Sequence, residues 1–112
     1  MPPKELLKLI LDIESIISEI EEVIEISSKD YSKFCNNFLA VRTVERNLEI
    51  IGEAVRKLLH FDPTLQISST RDIIGLRNIL AHAYDAIEPT TLWKINIKDL
   101  PILKDEIGKI KG

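Results

Sequence analysis

One cysteine, four glycines and no excess of positive charge are the first constraints that this 112-residue chain sets on itself. Cys35 has no partner for an intrachain disulfide or a cysteine-rich metal site, so a reducing, cytoplasmic setting is expected. A formal charge of −3 supplies no global positive field. Unselective attraction to DNA or RNA is therefore excluded, and any nucleic-acid contact has to be local. Long apolar runs are missing too. The opening stretch MPPKELLKLILDIESI is interrupted by Lys4, Glu5, Lys8, Asp12 and Glu14, which suits neither a secretion signal nor a membrane span. Internal repeats, low-complexity tracts and glycine-rich phosphate loops are absent. His60 and His82 stand far apart without an acidic set, so no metal site and no cofactor are expected.

What is present is hydrophobic residue at 45% and charge at 29%, the balance of a chain that folds, and a length that suits one domain over residues 1–112. Leu6, Ile10, Ile13, Ile17, Ile20 and Ile24 recur at steps of three and four, which predicts a long amphipathic helix from about Pro3 to Ile26. After Ser27, Ser28, Lys29 and Asp30 break that pattern, Phe34, Phe38, Val41, Val44, Leu48, Ile51, Val55 and Leu58 resume it. They predict a second long helix with a kink or a separate short helix near Tyr31 to Asn37. Gly52 inside this helix calls for close packing in compensation. Pro63 ends it.

Ser69 to Asp72 reads as a capping box that opens a third helix carrying Ile73, Leu76, Leu80 and Ala83 on its core side. Glu88 to Thr91 opens a short element with Leu92, Trp93 and Ile95, and Asp99 before Leu100 and Pro101 reads as the cap of a last helix with Leu103, Ile107 and Ile110. No alternating strand pattern appears. The expected fold is all-α, an antiparallel bundle of two long and two or more shorter helices.

The stretch GLRNILAHAYD, residues 75 to 85, is poorly explained by packing alone. Opposite its core side the third helix carries Arg71, Ile74, Gly75, Asn78, Ala81 and His82, a mixture of small, apolar and hydrogen-bonding residues that suits contact with a second protein surface. Arg77 and His82 lie five residues apart and diverge by roughly 140° on one helix. A second copy packed across a two-fold axis through Gly75, Asn78 and Ala81 would bring both pairs into one cleft, which predicts a two-fold homodimer. Asn78, one turn before His82, can orient the imidazole. A guanidinium that grips phosphate and an imidazole that moves protons near neutral pH can cleave RNA: His82 takes the 2′-hydroxyl proton while Arg77 neutralises charge growing on the phosphate. DNA lacks that hydroxyl and would be spared. An arginine and a histidine on one helix also occur as a plain surface or interface hydrogen-bonding pair, and spacing alone leaves both readings open.

The run RNILAHAY matches the R-x-x-x-x-H-x-Y motif of the HEPN superfamily, and the chain resembles its HepT-like toxins. VERNLEIIGEAVRKL resembles the long helix of that family, IIGLRNILAHAY its motif helix, and LWKI followed by LP its carboxyl-terminal part, so the resemblance runs through nearly the whole chain. It implies a HEPN-like helical domain over residues 1–112, assembled as a homodimer that acts as a metal-independent endoribonuclease toxin. By that resemblance Arg77 and His82 are the catalytic pair, Asn78 their support, and Tyr84 the regulatory position. It further implies a small nucleotidyltransferase antitoxin of the MNT type, which silences the toxin by transferring AMP to that tyrosine. A different class of function uses the same partner without catalysis: a helical module that binds a nucleotidyltransferase and positions or serves as its substrate.

Other residues carry less. Arg71 and Arg46 are weak candidates for an RNA-binding rim. Arg42, Arg46 and Arg56 on the second long helix could extend such a positive rim, or form surface ion pairs with Glu45, Glu49 and Glu53. Trp93 reads as core, and His60 as a favourable charge at a helix end.

Overall fold

A computed structural model describes residues 4–68 and 88–112 of the chain. Every regular element among them is helical. The first long helix, α1, spans Lys4–Ile26, and its buried residues are Leu6, Ile10, Ile13, Ile17, Ile20 and Ile24, the six positions that the three-four spacing had marked. It ends in a Schellman turn. The Lys29 amide donates to the Ile24 carbonyl at 2.9 Å and the Ser28 amide to the Glu25 carbonyl at 2.9 Å. Ser28 and Lys29 adopt φ of 56° and 53°, a left-handed conformation that costs a non-glycine residue roughly 1–2 kcal/mol. That turn folds the chain back on itself.

Asp30 caps the short helix α2, Tyr31–Asn36, by accepting from the Lys33 amide at 2.9 Å. Asn37 is extended, with φ −100° and ψ 97°, and its own side chain accepts from the Ala40 amide to open the second long helix, α3, Phe38–Phe61. The predicted break near Tyr31 to Asn37 is therefore a full helix boundary. This corrects one expectation from the spacing. Phe34 is completely buried on α2, whereas Phe38, four residues on, is 67% exposed. The extended residue between them resets the helical phase, so a step of four no longer keeps to one face. Further along α3, Val41, Val44, Leu48, Ile51, Val55 and Leu58 are buried as expected, together with Ala40, Asn47, Gly52 and Ala54.

Helix α4, Pro89–Lys94, starts with proline at its first position and runs into a single π-helical turn, Ile95–Asp99, and then α5, Leu100–Lys111. Asp99 is therefore not a cap. Its backbone is itself helical, it makes no side-chain capping bond, and the widened π turn carries the chain through instead. The core is shared mainly by α1 and α3, with α5 and the π turn closing one side and α2 and α4 the end. Two ion pairs tie α1 to α5, Glu21 with Lys104 at 2.9 Å and Glu14 with Lys111 at 3.1 Å. Both are solvated, and each is worth at most about 1 kcal/mol. No helix among the described residues is long and apolar enough to cross a membrane.

Candidate functional site

The capping box and third helix predicted from residues 69–85, and with them Arg71, Arg77, Asn78, His82 and Tyr84, lie outside the described residues. The structure does fix the points at which that stretch is entered and left. On the entry side Ile67 is buried, and Glu106 of α5 receives both the amide and the hydroxyl of Ser68, at 2.9 and 3.1 Å. On the exit side the Tyr31 and Thr90 hydroxyls are 2.6 Å apart, which joins α2 to the start of α4. Trp93 lies against Phe34 and, edge-on, against Tyr31, with ring centroids 5.4 and 5.9 Å away. Trp93 is thus a packing residue, as the sequence reading had it. The described residues on either side of the motif stretch, Ser68 and Thr90, are thus held to α5 and to α2.

Arg46 lies on α3 beside a groove of about 280 Å³ between α1 and α3, lined by Leu9, Asp12, Glu49, Glu53 and Lys57 among others. Its guanidinium is 3.4 Å from the Glu49 carboxylate, so the groove carries both signs of charge. Arg56 grips Glu53 with two bonds, of 2.6 and 3.3 Å. That hydrogen bonding, added to by the carboxylate's charge, raises the Arg56 pKa above its ordinary value. Two of the three expected ion pairs on this helix are present. The third is not: Arg42 lies over the ring of Phe38, 5.1 Å from its centroid, and Glu45 Oε1 is buried without a hydrogen-bond partner. His60 occupies the last turn of α3, where a cationic form would complement the helix dipole.

Three buried polar groups escaped the sequence reading. Asn47 is 6% exposed with its amide nitrogen unpartnered, Asn96 in the π turn is 7% exposed with neither amide atom partnered, and the Ser27 hydroxyl in the turn after α1 has no partner. Nothing in composition or spacing separates these residues from exposed asparagines and serines. Among the described residues no cluster of histidine, cysteine and carboxylates has the grouping of a metal site.

Every regular element among the described residues is helical, with two long helices at the core, and comparison with known proteins makes the class specific. The family model "Ribonuclease HepT-like" matches residues 13–110, which include the whole motif stretch. The chain belongs to the HepT-like ribonuclease family. It is 39% identical over 94 residues to a Methanocaldococcus jannaschii protein named as a candidate RNase, covering 82% of this chain and 86% of that one. A Caldanaerobacter subterraneus subsp. tengcongensis protein, also named as a candidate RNase, is 30% identical over 100 residues, 88% of this chain and 89% of that one. A Thermococcus cleftensis protein named as a candidate ribonuclease HepT is 30% identical over 101 residues, 85% and 92% of the two chains. No solved structure matches the chain significantly.

Proposed function

We propose that this protein is the toxin of a toxin–antitoxin pair and acts as a metal-independent endoribonuclease. One observation carries the reading: the match to the HepT-like ribonuclease family runs through residues 13–110, a range that includes Arg77, Asn78, His82 and Tyr84. Two copies of the domain assemble about a two-fold axis, and the Arg77 and His82 side chains of both protomers line one cleft. His82 takes the proton of a ribose 2′-hydroxyl. The 2′-oxygen attacks the adjacent phosphorus, the bond to the 5′-oxygen breaks, and the leaving oxygen is protonated by the second imidazole or by water. Arg77 neutralises the charge that gathers on the phosphate oxygens, and Asn78 holds the imidazole in register. The products are a 2′,3′-cyclic phosphate and a 5′-hydroxyl.

Control falls to Tyr84, two residues after His82 and seven after Arg77. A nucleotidyltransferase antitoxin of the MNT type transfers AMP from ATP to the phenolic oxygen and releases pyrophosphate. The added phosphate carries negative charge to the side of Arg77 and occupies the guanidinium that RNA requires. Incubating the protein with total RNA in chelator, beside His82→Ala, tests the chemistry. Cyclic-phosphate ends that form with chelator present and vanish in His82→Ala are expected. Equal cleavage by His82→Ala, or equal cleavage of DNA, would overturn the assignment.

A further inference from the structure

We infer that Phe38 and Arg42, at the start of α3, form a stacking platform for single-stranded RNA, an inference that rests on the ribonuclease reading and extends it to how substrate is held away from the motif residues. The two side chains stand four residues apart and so share one face of the helix. The Arg42 guanidinium lies 5.1 Å from the centroid of the Phe38 ring, yet Phe38 keeps 67% of its surface exposed, so the ring is capped on one side and open elsewhere. Phe61, at the other end of the same helix, is exposed too, and Phe38 is the exposed ring that carries a cation on its face.

The charge pattern along α3 decides which partner fits. Arg46 and Arg56 are each neutralised by a carboxylate of their own helix, Glu49 and Glu53. Arg42 has no such partner, and the carboxylate one turn along, Glu45, holds one of its oxygens buried instead of offering it to Arg42. On a chain of net charge −3, Arg42 is thus a cation with no ion-pair partner among the described residues. An apolar protein partner would have to bury an unpaired guanidinium at considerable cost. A polyanion with π-faced bases meets both groups at once: the base stacks on the open ring or on the outer plane of the guanidinium, and the guanidinium donates to the flanking phosphate. Leu39, 73% exposed and about 100° further round the helix, borders the same surface and can contact a sugar.

The test measures binding without turnover. In the His82→Ala background, affinity for a fluorescein-labelled, unstructured oligoribonucleotide of roughly ten nucleotides is read by anisotropy over a salt series. Phe38→Ala and Arg42→Ala are each expected to weaken binding about tenfold, with the double variant little worse than either single one, because the two groups form one stack. Arg42→Ala should also flatten the salt dependence by about 0.7 in slope, the loss of one phosphate contact to a single strand. Phe38→Trp should retain affinity, and Lys8→Ala, on the far helix, should change nothing. Circular dichroism verifies the fold, which both surface substitutions leave intact. Parental affinity in Phe38→Ala and Arg42→Ala overturns the inference. So does dissociation of an oligomer by either variant in light scattering, which would assign the patch to contact between copies of the chain. The two readings fail separately: RNA cleavage by the parent with unaltered binding in the variants removes only the platform, whereas Phe38-dependent binding by a parent that cleaves no RNA removes only the ribonuclease.

Discussion

The two long helices obey different rules. Helix α1 buries only leucine and isoleucine, and its solvated faces carry charged residues together with the exposed Leu11 and Ile26. Helix α3 buries Asn47 and Gly52 among its valines and leucines and leaves Phe38 and Leu39 in solvent. Each departure has an adverse cost. An unpartnered buried amide costs about 1–3 kcal/mol, and a mid-helix glycine about 1 kcal/mol relative to alanine. The buried face of α1 is thus wholly aliphatic, while that of α3 keeps an amide and a glycine that packing alone would have replaced.

The contrast can be broken most forcefully by pairing a motif variant with a scaffold variant. Arg77→Ala or His82→Ala should lower the RNA cleavage rate by about two to four orders of magnitude with an unchanged melting curve. Ile17→Ala, at a fully packed position of α1, should do the reverse: a loss of about 2–5 kcal/mol in urea unfolding, with the folded fraction cleaving at the parental rate. If Ile17→Ala abolished turnover in folded protein, α1 would be more than a scaffold.

A smaller effect sharpens the reading of α3. Asn47→Leu replaces an amide whose nitrogen has no partner by an apolar side chain of similar shape, and it should raise stability by about 1 kcal/mol in urea unfolding. Destabilisation would mean that the amide makes a bond on which the helix depends. The smallest effect belongs to the end of α3. The Thr64 hydroxyl donates to Asp62 at 2.6 Å and the Thr64 amide at 3.0 Å, and these bonds hold the Asp62 carboxyl below the ordinary carboxylate range. A lowered folded-state pKa stabilises the fold above the ordinary value, and that stabilisation disappears as pH falls through the lowered one. Asp62→Ala should therefore melt slightly earlier than the parent at neutral pH, and the gap should close in acid. A gap that widened in acid would contradict the assignment.

How far the sequence could be read depended on which physical rule governed each residue. The buried stripe of α1 was legible to the residue because a 3.6-residue period and one apolar face are purely local properties. Most of the α3 stripe followed for the same reason. The family was legible from the motif stretch and its flanks, and the family match spans that stretch, while the roles of Arg77, Asn78, His82 and Tyr84 stand as a proposal. Phe38 was misread as core because the phase reset at Asn37 rests on one backbone conformation that composition does not disclose. The expected cap at Asp99 failed because a π turn passes through it, and a π turn is held by how neighbouring segments pack. Arg42 was open between an RNA-binding rim and an ion pair with Glu45, and only the placement of side chains in space put it over the Phe38 ring.

The sequence by itself determined the helical class, the α1 stripe, the two long helices and the family, since each follows from local periodicity or from residue identity. The tertiary structure alone decided which of three arginines on α3 lacks a counter-ion, that Phe38 faces water while Phe34 is buried, and how Glu106 holds Ser68 and Tyr31 holds Thr90. Those outcomes depend on groups brought together from positions 38 and 59 residues apart, or on a single reset of helical phase, and no local pattern encodes either.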